Sequence, residues 1–194
     1  MKIVLASSNE HKVKEINAIV LQKNIDVEFV LPPKGFDPIE DGKTFEENSF
    51  IKAKEAWKIS NTWSLADDSG LCIDALGGAP GIHSARYAET PQARINRVLD
   101  EMCGISNRKA CFKCCMTLIN PKGEVEFTYT GICEGSIIES QRGVNGFGYD
   151  PIFLLKGSEK TMAELSDNEK NDVSHRGRAL SAVLDYLTRY LDEN

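Results

Sequence analysis

Residues 66–82 read Ala-Asp-Asp-Ser-Gly-Leu-Cys-Ile-Asp-Ala-Leu-Gly-Gly-Ala-Pro-Gly-Ile and place two adjacent carboxylates, Asp67 and Asp68, after a short apolar segment. In an extended segment neighbouring side chains point to opposite faces, so one carboxylate can face the interior and the other a cleft. A carboxylate at the end of a strand can bind a hard metal ion or act as a general base. The alternative is a solvated turn, because Asp, Ser and Gly favour turns for local reasons. The glycines that follow are more than one turn requires, which indicates backbone held close to a ligand or to another backbone.

The composition is that of an ordinary soluble globular protein, because 41% of the 194 residues are hydrophobic and 27% are charged. This length fits a single domain over residues 1–194, or one domain with two lobes around a cleft. The net charge of −6 argues against binding to nucleic acid polymers, which needs a basic field, but leaves room for a small anionic ligand. Neither a signal-peptide pattern nor an apolar run of about 20 residues is present, so we expect a cytoplasmic protein without membrane contact.

The six cysteines raise the question of disulfide bonds or a zinc site. Cys111, Cys114 and Cys115 contain one C-x-x-C spacing, but no second such pair and no paired histidines follow at zinc-finger distances. Residues 110–119 are better interpreted as a buried strand in which free cysteine behaves as a small hydrophobic residue. Structural thiols are therefore expected, metal or redox use is the alternative, and disulfide bonds are not expected in a reducing compartment.

Strand and helix patterns along the chain predict a mixed α/β fold. Thr44 and Glu47 have the form of a capping box for a helix that runs to about residue 59. Thr90 and Pro91 form the N-cap and first position of a further helix that stops near Gly104. Helical periodicity also predicts helices after residue 9 and at the C-terminus, and strands are predicted at 2–6, 27–31, 110–119, 124–132 and 152–155.

A first candidate site lies at the junction between the first strand and the first helix, where Ser7, Ser8, Asn9 and Lys12 follow one another. A helix N-terminus offers unpaired backbone N–H groups and a partial positive charge, so it can receive a phosphate group. The side chains add donors and a cation. The glycines of a Walker loop are missing, so an ordinary P-loop ATPase is not expected. Simple helix capping with a surface lysine is the alternative.

A second candidate site is acidic and combines Glu40, Asp41 and Glu47 with Asp67 and Asp68. Magnesium prefers one or two carboxylates together with substrate phosphates and water. A pair of carboxylates from separate loops fits that need, whereas the alternative is an acidic surface with ordinary helix-start residues.

Two further segments carry groups suited to a purine base. Phe147 lies between two glycines, which would leave its ring open to a flat partner, and Asp150 can accept hydrogen bonds. Core aromatics in a bend are the alternative interpretation. Ahead of the last helix, Ser174, His175 and Arg176 concentrate donors suited to an oxo group or a phosphate, although Ser174 can simply cap that helix. No Gly-x-Ser-x-Gly elbow is present, so His175 is not expected to act in a catalytic triad.

Taken in order, six motifs resemble the inosine triphosphate pyrophosphatase family, whose members hydrolyse non-standard purine nucleoside triphosphates. The matching residues are Ser-Ser-Asn-x-x-Lys at 7–12, Thr-Phe-x-Glu-Asn at 44–48 followed by Lys52, Ala-Asp-Asp-Ser-Gly-Leu at 66–71, Leu-Gly-Gly-Ala-Pro-Gly at 76–81 with Ser-Ala-Arg-Tyr at 84–87, Gly-Phe-Gly-Tyr-Asp-Pro at 146–151, and Ser-His-Arg-Gly at 174–177. They span nearly the whole chain in the order of the family, so together they are highly specific.

The resemblance implies a fold and a set of roles. The fold would be an elongated, mixed and twisted β-sheet flanked by helices, with two lobes around a central cleft and a homodimeric assembly. Glu40 and Asp68 would bind Mg²⁺, Asp68 would be the general base, and Ser69 would contact substrate. Near Glu40, the neighbouring Asp41 is a second possible ligand. The phosphates would be held by Ser7, Ser8, Asn9, Glu10, His11, Lys12 and Lys52, and the base and sugar by Phe147, Gly148, Tyr149, Asp150, Lys170, His175 and Arg176.

The implied reaction converts ITP, dITP or XTP to the monophosphate and pyrophosphate, through magnesium-assisted attack of water on the α-phosphorus. Donors such as His175 and Arg176 would satisfy the C6 oxo group of the base but meet a mismatched amino group in adenine. Two other classes of protein stay open: a sensor that binds purine nucleotides without hydrolysing them, and a thiol or zinc protein built on Cys111, Cys114 and Cys115.

Overall fold

The computed structural model describes residues 1–7 and 10–193, without the side chains of residues 10–12, 14, 15, 18 and 22. The strands are β1 (Lys2–Leu5), β2 (Glu28–Val30), β3 (Ser64–Ile73), β4 (Lys109–Ile119), β5 (Val125–Ile137) and β6 (Phe153–Leu155). The helices are α1 (Glu10–Lys23), α2 (Phe45–Ser60), α3 (Pro91–Glu101), α4 (Asp167–Val173) and α5 (His175–Glu193). These elements confirm the predicted mixed α/β fold. No helix within the described residues is long and apolar enough to cross a membrane.

The six strands form one sheet in the order β2-β1-β3-β4-β5-β6. β1 pairs in parallel with β2, where Ile3 lies opposite Phe29, and also with β3, where Val4 lies opposite Ser64. Parallel neighbours need a crossover connection, and α1 supplies it between β1 and β2. β5 and β6 are antiparallel.

The chain forms two compact units. The first unit comprises Met1–Asp68, Cys115–Thr130 and Ala179–Asn194, and the second comprises Ser69–Cys114 and Gly131–Arg178. Strands β3, β4 and β5 each contribute residues to both units. The assignment of residues 1–194 to a single domain stays a prediction.

The core of the first unit depends on small side chains. Ala53 and Ala56 of α2 are fully buried against Val4 of β1 and Ala66 of β3. Alanine at these positions lets the helix backbone lie close to the sheet, which brings the polar side chains of the same helix near the strands. The Trp57 indole of α2 donates to the carbonyl of Pro121, at 3.1 Å, and so fixes the turn between β4 and β5.

The core of the second unit packs α3 against the far portions of the long strands. Ile95 and Val98 of α3 are buried with Leu71 and Ile73 of β3. β3 was expected to end near Asp68, but it continues to Ile73, because the last apolar residues of the strand are fully buried in this core.

β5 likewise extends to Ile137, five residues past its predicted end at 132. Gly135 explains the extension. A Cβ atom at this position would overlap the Leu154 carbonyl oxygen and the Phe153 ring of β6, so glycine permits the close pairing of the two strands.

The start of α2 shows the Thr44 half of the predicted capping box. The Thr44 hydroxyl accepts a hydrogen bond from the Glu47 backbone N–H at 3.1 Å. The Glu47 carboxylate in turn accepts from the backbone N–H of Lys43 at 2.6 Å, one residue before the cap. The helix therefore has a defined first turn, which fixes the positions of the side chains that follow it.

Replacing Thr44 with alanine removes this cap. We expect Thr44→Ala to lower the free energy of unfolding by about 1 kcal/mol, because one N–H group of the first turn loses its acceptor. Urea denaturation followed by far-UV circular dichroism measures the change. Thr44→Ser keeps the hydroxyl and should stay within a few tenths of a kcal/mol of the parent. Equal stability of Thr44→Ala and Thr44→Ser would show that the cap contributes nothing.

Candidate functional site

The first unit contains a buried cluster of carboxylates around one lysine. The Asp68 carboxylate accepts hydrogen bonds from Lys52 Nζ at 3.0 Å and from the Asn48 amide at 3.3 Å. Lys52 Nζ also lies 3.5 Å from the Glu40 carboxylate. Asn48 and Lys52 are four residues apart on α2 and therefore share one face of the helix. The Asn48 side-chain oxygen accepts from the Gly42 N–H at 2.9 Å, which ties the acidic connector to the same helix.

Negative charge exceeds positive charge in this cluster. Burial raises the pKa of the Asp68 carboxyl, and the Lys52 ammonium opposes that shift only in part. Burial also lowers the pKa of Lys52, but its pKa is raised overall because Asp68, Asp67 and Glu40 all attract the ammonium group. Three carboxylates therefore act on this ammonium, and the cluster carries an excess of negative charge.

This donor set fits Mg²⁺. Glu40 and Asp68 offer hard oxygen atoms and already converge on a cation, the ammonium of Lys52. Among the side chains that the structure describes, no group of three or more His, Cys, Asp or Glu is arranged to hold a metal ion. Two convergent carboxylates without a closed cage are what a magnesium ion needs when substrate phosphates and water complete its shell.

Glu40 and Asp41 have different surroundings. The Glu40 side chain reaches Lys52 and is one-third exposed, whereas Asp41 lies exposed on the surface. Within the acidic set, Glu47 serves the α2 start through its bond to the Lys43 N–H. Glu40 is thus the residue of the connector that the fold brings to Asp68.

The predicted phosphate-binding segment is described only in part. Ser7 follows β1, and its backbone N–H donates to the Leu5 carbonyl at 2.7 Å. Ser8 and Asn9 lie outside the described residues, and so do the side chains of Glu10, His11 and Lys12.

The second unit contains a pocket of about 270 Å³ that is lined by all seven residues predicted to bind the base and sugar. Predicted residues in its lining are Ser69, Phe147, Gly148, Tyr149, Asp150, Lys170, His175 and Arg176. The lining also includes Ser174, which was expected as a donor or a helix cap. Six further residues of the lining had no individual predicted role, namely Gly70, Leu71, Ser84, Ala85, Arg94 and Phe112. The pocket therefore combines aromatic surface with several hydrogen-bonding groups, as small-molecule sites commonly do.

Asp150 organises one wall of this pocket. Its carboxylate is 3% exposed and accepts from Lys170 Nζ at 2.6 Å and from the Phe147 backbone N–H at 2.8 Å. The Phe147 ring is 64% exposed, with Lys170 Nζ at 4.5 Å and the Arg176 guanidinium carbon at 5.7 Å from its centre. Asp150 thus fixes the Phe147 loop, and the aromatic ring presents a large free surface.

The beginning of α5 forms another wall. The His175 ring is buried and stacks on Phe112, with centroids 4.8 Å apart and planes 12° apart. Arg176 donates to the Ser69 hydroxyl at 3.2 Å. The Ser174 hydroxyl accepts from the Gly177 backbone N–H at 3.0 Å, as expected for a helix cap. All three residues of this motif line the pocket, and Ser174 also caps α5.

Ser84 connects the parts of the pocket and was not singled out from the sequence. Its hydroxyl accepts from the Leu71 N–H at 2.9 Å and donates to the Gly81 carbonyl at 2.6 Å, while its carbonyl accepts from the Tyr149 hydroxyl at 2.8 Å. Burial raises the pKa of Tyr149 to about 12, which keeps this hydroxyl a donor. Gly70 allows the approach, because a Cβ atom there would overlap the Gly81 carbonyl oxygen.

Asn48 and Ser84 both occur inside motifs that the sequence already indicates, at 44–48 and 84–87. The four-residue spacing between Asn48 and Lys52 places both on one face of the helix, and this spacing could have indicated a role for Asn48. No local pattern indicates Ser84, because its partners come from β3 and from the loop before β6.

The C-x-x-C spacing has a structural interpretation. Cys111 and Cys114 both lie on β4, where a separation of three residues directs side chains to opposite faces. Cys114 and Cys115 are fully buried, as expected for thiols that pack as small hydrophobic residues. The spacing therefore does not bring Cys111 and Cys114 together as joint ligands.

Comparison with known proteins gives matches along nearly the whole chain. The model of the Ham1 family matches residues 3–186. A protein of Treponema denticola named dITP/XTP pyrophosphatase is 45% identical over 199 residues, covering 96% of this chain and 98% of the relative. The structure of the Staphylococcus aureus Ham1 protein has a TM-score of 0.90 and 37% identity, covering 98% of this chain and all of the other. A HAM1 protein from Coxiella burnetii has a TM-score of 0.89 and 41% identity, covering 97% and 99%. With the family model, the sequence relative and the solved structures all in agreement, the chain belongs to the Ham1 family.

Proposed function

We propose that this protein hydrolyses non-standard purine nucleoside triphosphates, dITP, ITP and XTP, to the nucleoside monophosphate and pyrophosphate. The observation that carries the proposal is the convergence of Glu40, Lys52 and Asp68 in one buried cluster, since these groups suit a metal-bound triphosphate. The Treponema denticola relative, named dITP/XTP pyrophosphatase, supports the choice of substrate class.

The carboxylate cluster would act on the phosphates. Glu40 and Asp68 would hold Mg²⁺, which neutralises phosphate charge and improves the pyrophosphate leaving group when bound. The Lys52 ammonium adds a positive charge beside them and can contact a phosphate oxygen. Ser7, Ser8, Asn9, Glu10, His11 and Lys12 would complete phosphate binding at the start of α1.

Asp68 would be the general base. A water molecule attacks the α-phosphorus, its proton passes to the Asp68 carboxylate, and the bond from the α-phosphorus to the bridging oxygen breaks to release pyrophosphate. The hydrogen bonds from Lys52 and Asn48 hold the carboxylate in one orientation before the reaction begins. Asp68 is 9% exposed, so bulk water has little access to its carboxylate.

The pocket of the second unit would bind the base and sugar. A purine can stack on the exposed ring of Phe147, beside Lys170 and Arg176. His175 and Arg176 would donate to the C6 oxo group, with Gly148, Tyr149 and Asp150 shaping the remaining wall. The C6 amino group of adenine is itself a donor, so His175 and Arg176 would face it without an acceptor. Unpaired buried donors weaken binding, and this gives the preference over adenine. Ser69, bonded to Arg176, would contact the substrate.

The proposal also includes a cytoplasmic location, a homodimeric assembly and small-molecule substrates rather than nucleic acid polymers or membranes. A pool of free nucleotides is the substrate source that such an enzyme needs. The net charge of −6 disfavours polyanion binding over an extended surface.

The products of the reaction test the proposal directly. We expect the purified chain with dITP, ITP or XTP and Mg²⁺ to give the monophosphate and pyrophosphate, identified by ³¹P NMR, and to lose turnover when EDTA removes the metal. Diphosphate with orthophosphate would mean attack at the γ-phosphorus and would overturn the assignment. Binding without turnover of these substrates, or of ATP and GTP, would identify a nucleotide sensor instead.

Asp68→Asn tests the general base. The amide keeps the size of the side chain but cannot take a proton, so turnover should fall by about 10²- to 10⁴-fold. Circular dichroism should show an unchanged fold. Asp41→Asn is the matched control, since it removes an exposed carboxylate of the same acidic set and should leave turnover within about twofold. A folded Asp68→Asn protein with parental activity would exclude Asp68 as the base.

Phe147→Ala tests stacking of the base. Loss of one aromatic–base stack is worth about 1–3 kcal/mol, so kcat/KM for ITP should fall about tenfold or more. Most of the change should appear in KM, because stacking is present in both ground and transition states. Phe147→Tyr preserves the ring and serves as the control. Equal kcat/KM values for Phe147→Ala and Phe147→Tyr would contradict the stacking role.

A further inference from the structure

The pocket of the second unit carries more positive than negative charge. Its charged side chains are Arg94, Lys170, Arg176 and Asp150. Lys170 Nζ lies 2.6 Å from the Asp150 carboxylate and neutralises it. The guanidinium groups of Arg94 and Arg176 therefore remain in excess, and the lining favours a ligand that is rich in hydrogen-bond acceptors.

The acceptor groups of the lining are already engaged by the protein. Four polar side chains of the lining accept hydrogen bonds from protein donors, namely Ser69, Ser84, Asp150 and Ser174. In the same order, their donors are the Arg176 guanidinium and the backbone N–H groups of Leu71, Phe147 and Gly177. An amino group on a ligand must therefore share one of these acceptors with a protein donor, which adds to the preference for a ligand that accepts.

Helix α3 contributes the half-buried Arg94 to this lining. Its Nε–H donates to the Ala88 carbonyl at 3.2 Å, which restrains the plane of the guanidinium group. A guanidinium group has five N–H donors, and the four on the terminal nitrogens of Arg94 make no hydrogen bond to the part of the chain that the structure describes. The next residue, Ile95, is buried in the core and fixes the helix at this point. Arg94 therefore offers a planar, cationic set of donors to a ligand.

Donors directed at the C6 oxo group cannot separate all the purines, because hypoxanthine, xanthine and guanine share that group. These three bases differ at C2, where hypoxanthine carries a hydrogen, xanthine an oxo group and guanine an amino group. An oxo group accepts hydrogen bonds, whereas an amino group donates them. The group at C2 therefore decides which of these bases suits a lining with donors in excess.

The small size of the pocket brings its walls within reach of one ligand. Its volume of about 270 Å³ lies just below the range of about 300–1,000 Å³ that is common for small-molecule sites. His175 and Arg176 come from α5, whereas Arg94 comes from α3. A base that turns its C6 oxo group towards the start of α5 therefore meets a further donor on another wall of the pocket.

We propose that Arg94 is a specificity-determining residue that recognises the group at C2 of the purine. The assignment rests on the proposed function, which puts the base in this pocket, and it makes 2-oxopurine nucleotides the preferred class of substrate. The terminal N–H groups of Arg94 donate charge-assisted hydrogen bonds to the C2 oxo group of xanthine. Hypoxanthine is accepted without this bond. The amino group of guanine places a donor against the guanidinium group, which disfavours guanine.

Binding of the nucleoside monophosphates tests Arg94 separately from catalysis. Isothermal titration calorimetry without metal measures the Kd of the full chain for XMP, IMP and GMP, and we expect XMP to bind most tightly and GMP most weakly. Arg94→Met keeps an apolar stem of similar length but removes the donors. Because a hydrogen bond to a charged group is lost, the Kd for XMP should rise about tenfold or more, while the Kd for IMP should change less than about threefold. The preference for XMP over GMP should therefore fall by about tenfold or more.

Two further variants separate recognition of the base from a general loss of charge. Arg189→Met removes an exposed arginine of α5 in the first unit and should leave all three Kd values within about twofold. Arg94→Lys keeps the charge and should retain part of the preference for XMP.

Three results would overturn the role of Arg94. They are equal weakening of the three nucleotides in Arg94→Met, an unchanged ratio of the Kd values for XMP and GMP in that variant, and a parent protein that binds none of the three. A parent protein that binds XMP selectively but does not hydrolyse XTP would contradict the proposed hydrolysis and still support the role of Arg94, so the two failures are distinguishable.

Discussion

The first unit depends on the ion pair between the Lys52 ammonium and the Asp68 carboxylate. Asp67 and Asp68 are consecutive residues of β3, only 4% and 9% exposed, and carboxylates at that depth need compensation by charge and hydrogen bonds. Lys52 supplies the charge and Asn48 a hydrogen bond, both from α2. The helix must therefore run close to the strand, and its alanines allow it to do so. The buried carboxylates therefore need the helix close by, and the small alanine side chains of α2 make that close packing possible.

The same balance of charge explains what the cluster suits. Its carboxylates exceed the ammonium charge, so it attracts cations and by itself repels a polyanion such as a triphosphate. Because the carboxylates and the phosphates repel each other, a cation is needed between the cluster and the phosphates. The proposed Mg²⁺ meets this need, and Lys52 supplies a second positive charge at the same place. Stability and ligand chemistry rest here on the same few side chains.

Local sequence patterns predicted most helices and strands. The predictions that failed were the ends of β3 and β5, which depend on interactions between distant segments. The Thr44 cap and the helix after Thr90-Pro91 follow from short-range rules, and the structure shows both. The continuation of β3 past Asp68 depends on burial of its end in a core built by α3, which no window of sequence contains. The extension of β5 depends in the same way on β6 passing over Gly135.

The candidate site shows the same division. The resemblance indicated Glu40, Lys52 and Asp68, and the fold brings these three together. The role of Ser84 could not be predicted, because its hydrogen bonds join segments that approach only in the folded protein. The roles proposed for residues 8 and 9 fall outside the described part of the chain.

Strand β3 contributes one residue to each of the two candidate ligand sites, and these residues, Asp68 and Ser69, are consecutive. Asp68 bonds to side chains of α2 in the first unit, and the next residue, Ser69, bonds to Arg176 in the second. A register shift of one residue would exchange the faces and separate each side chain from its partner. The close contact of Gly70 with Gly81, and the bond from Leu71 to Ser84, oppose such a shift within the next two residues. The glycines and serine after Asp68 therefore fix the register on which both candidate sites depend.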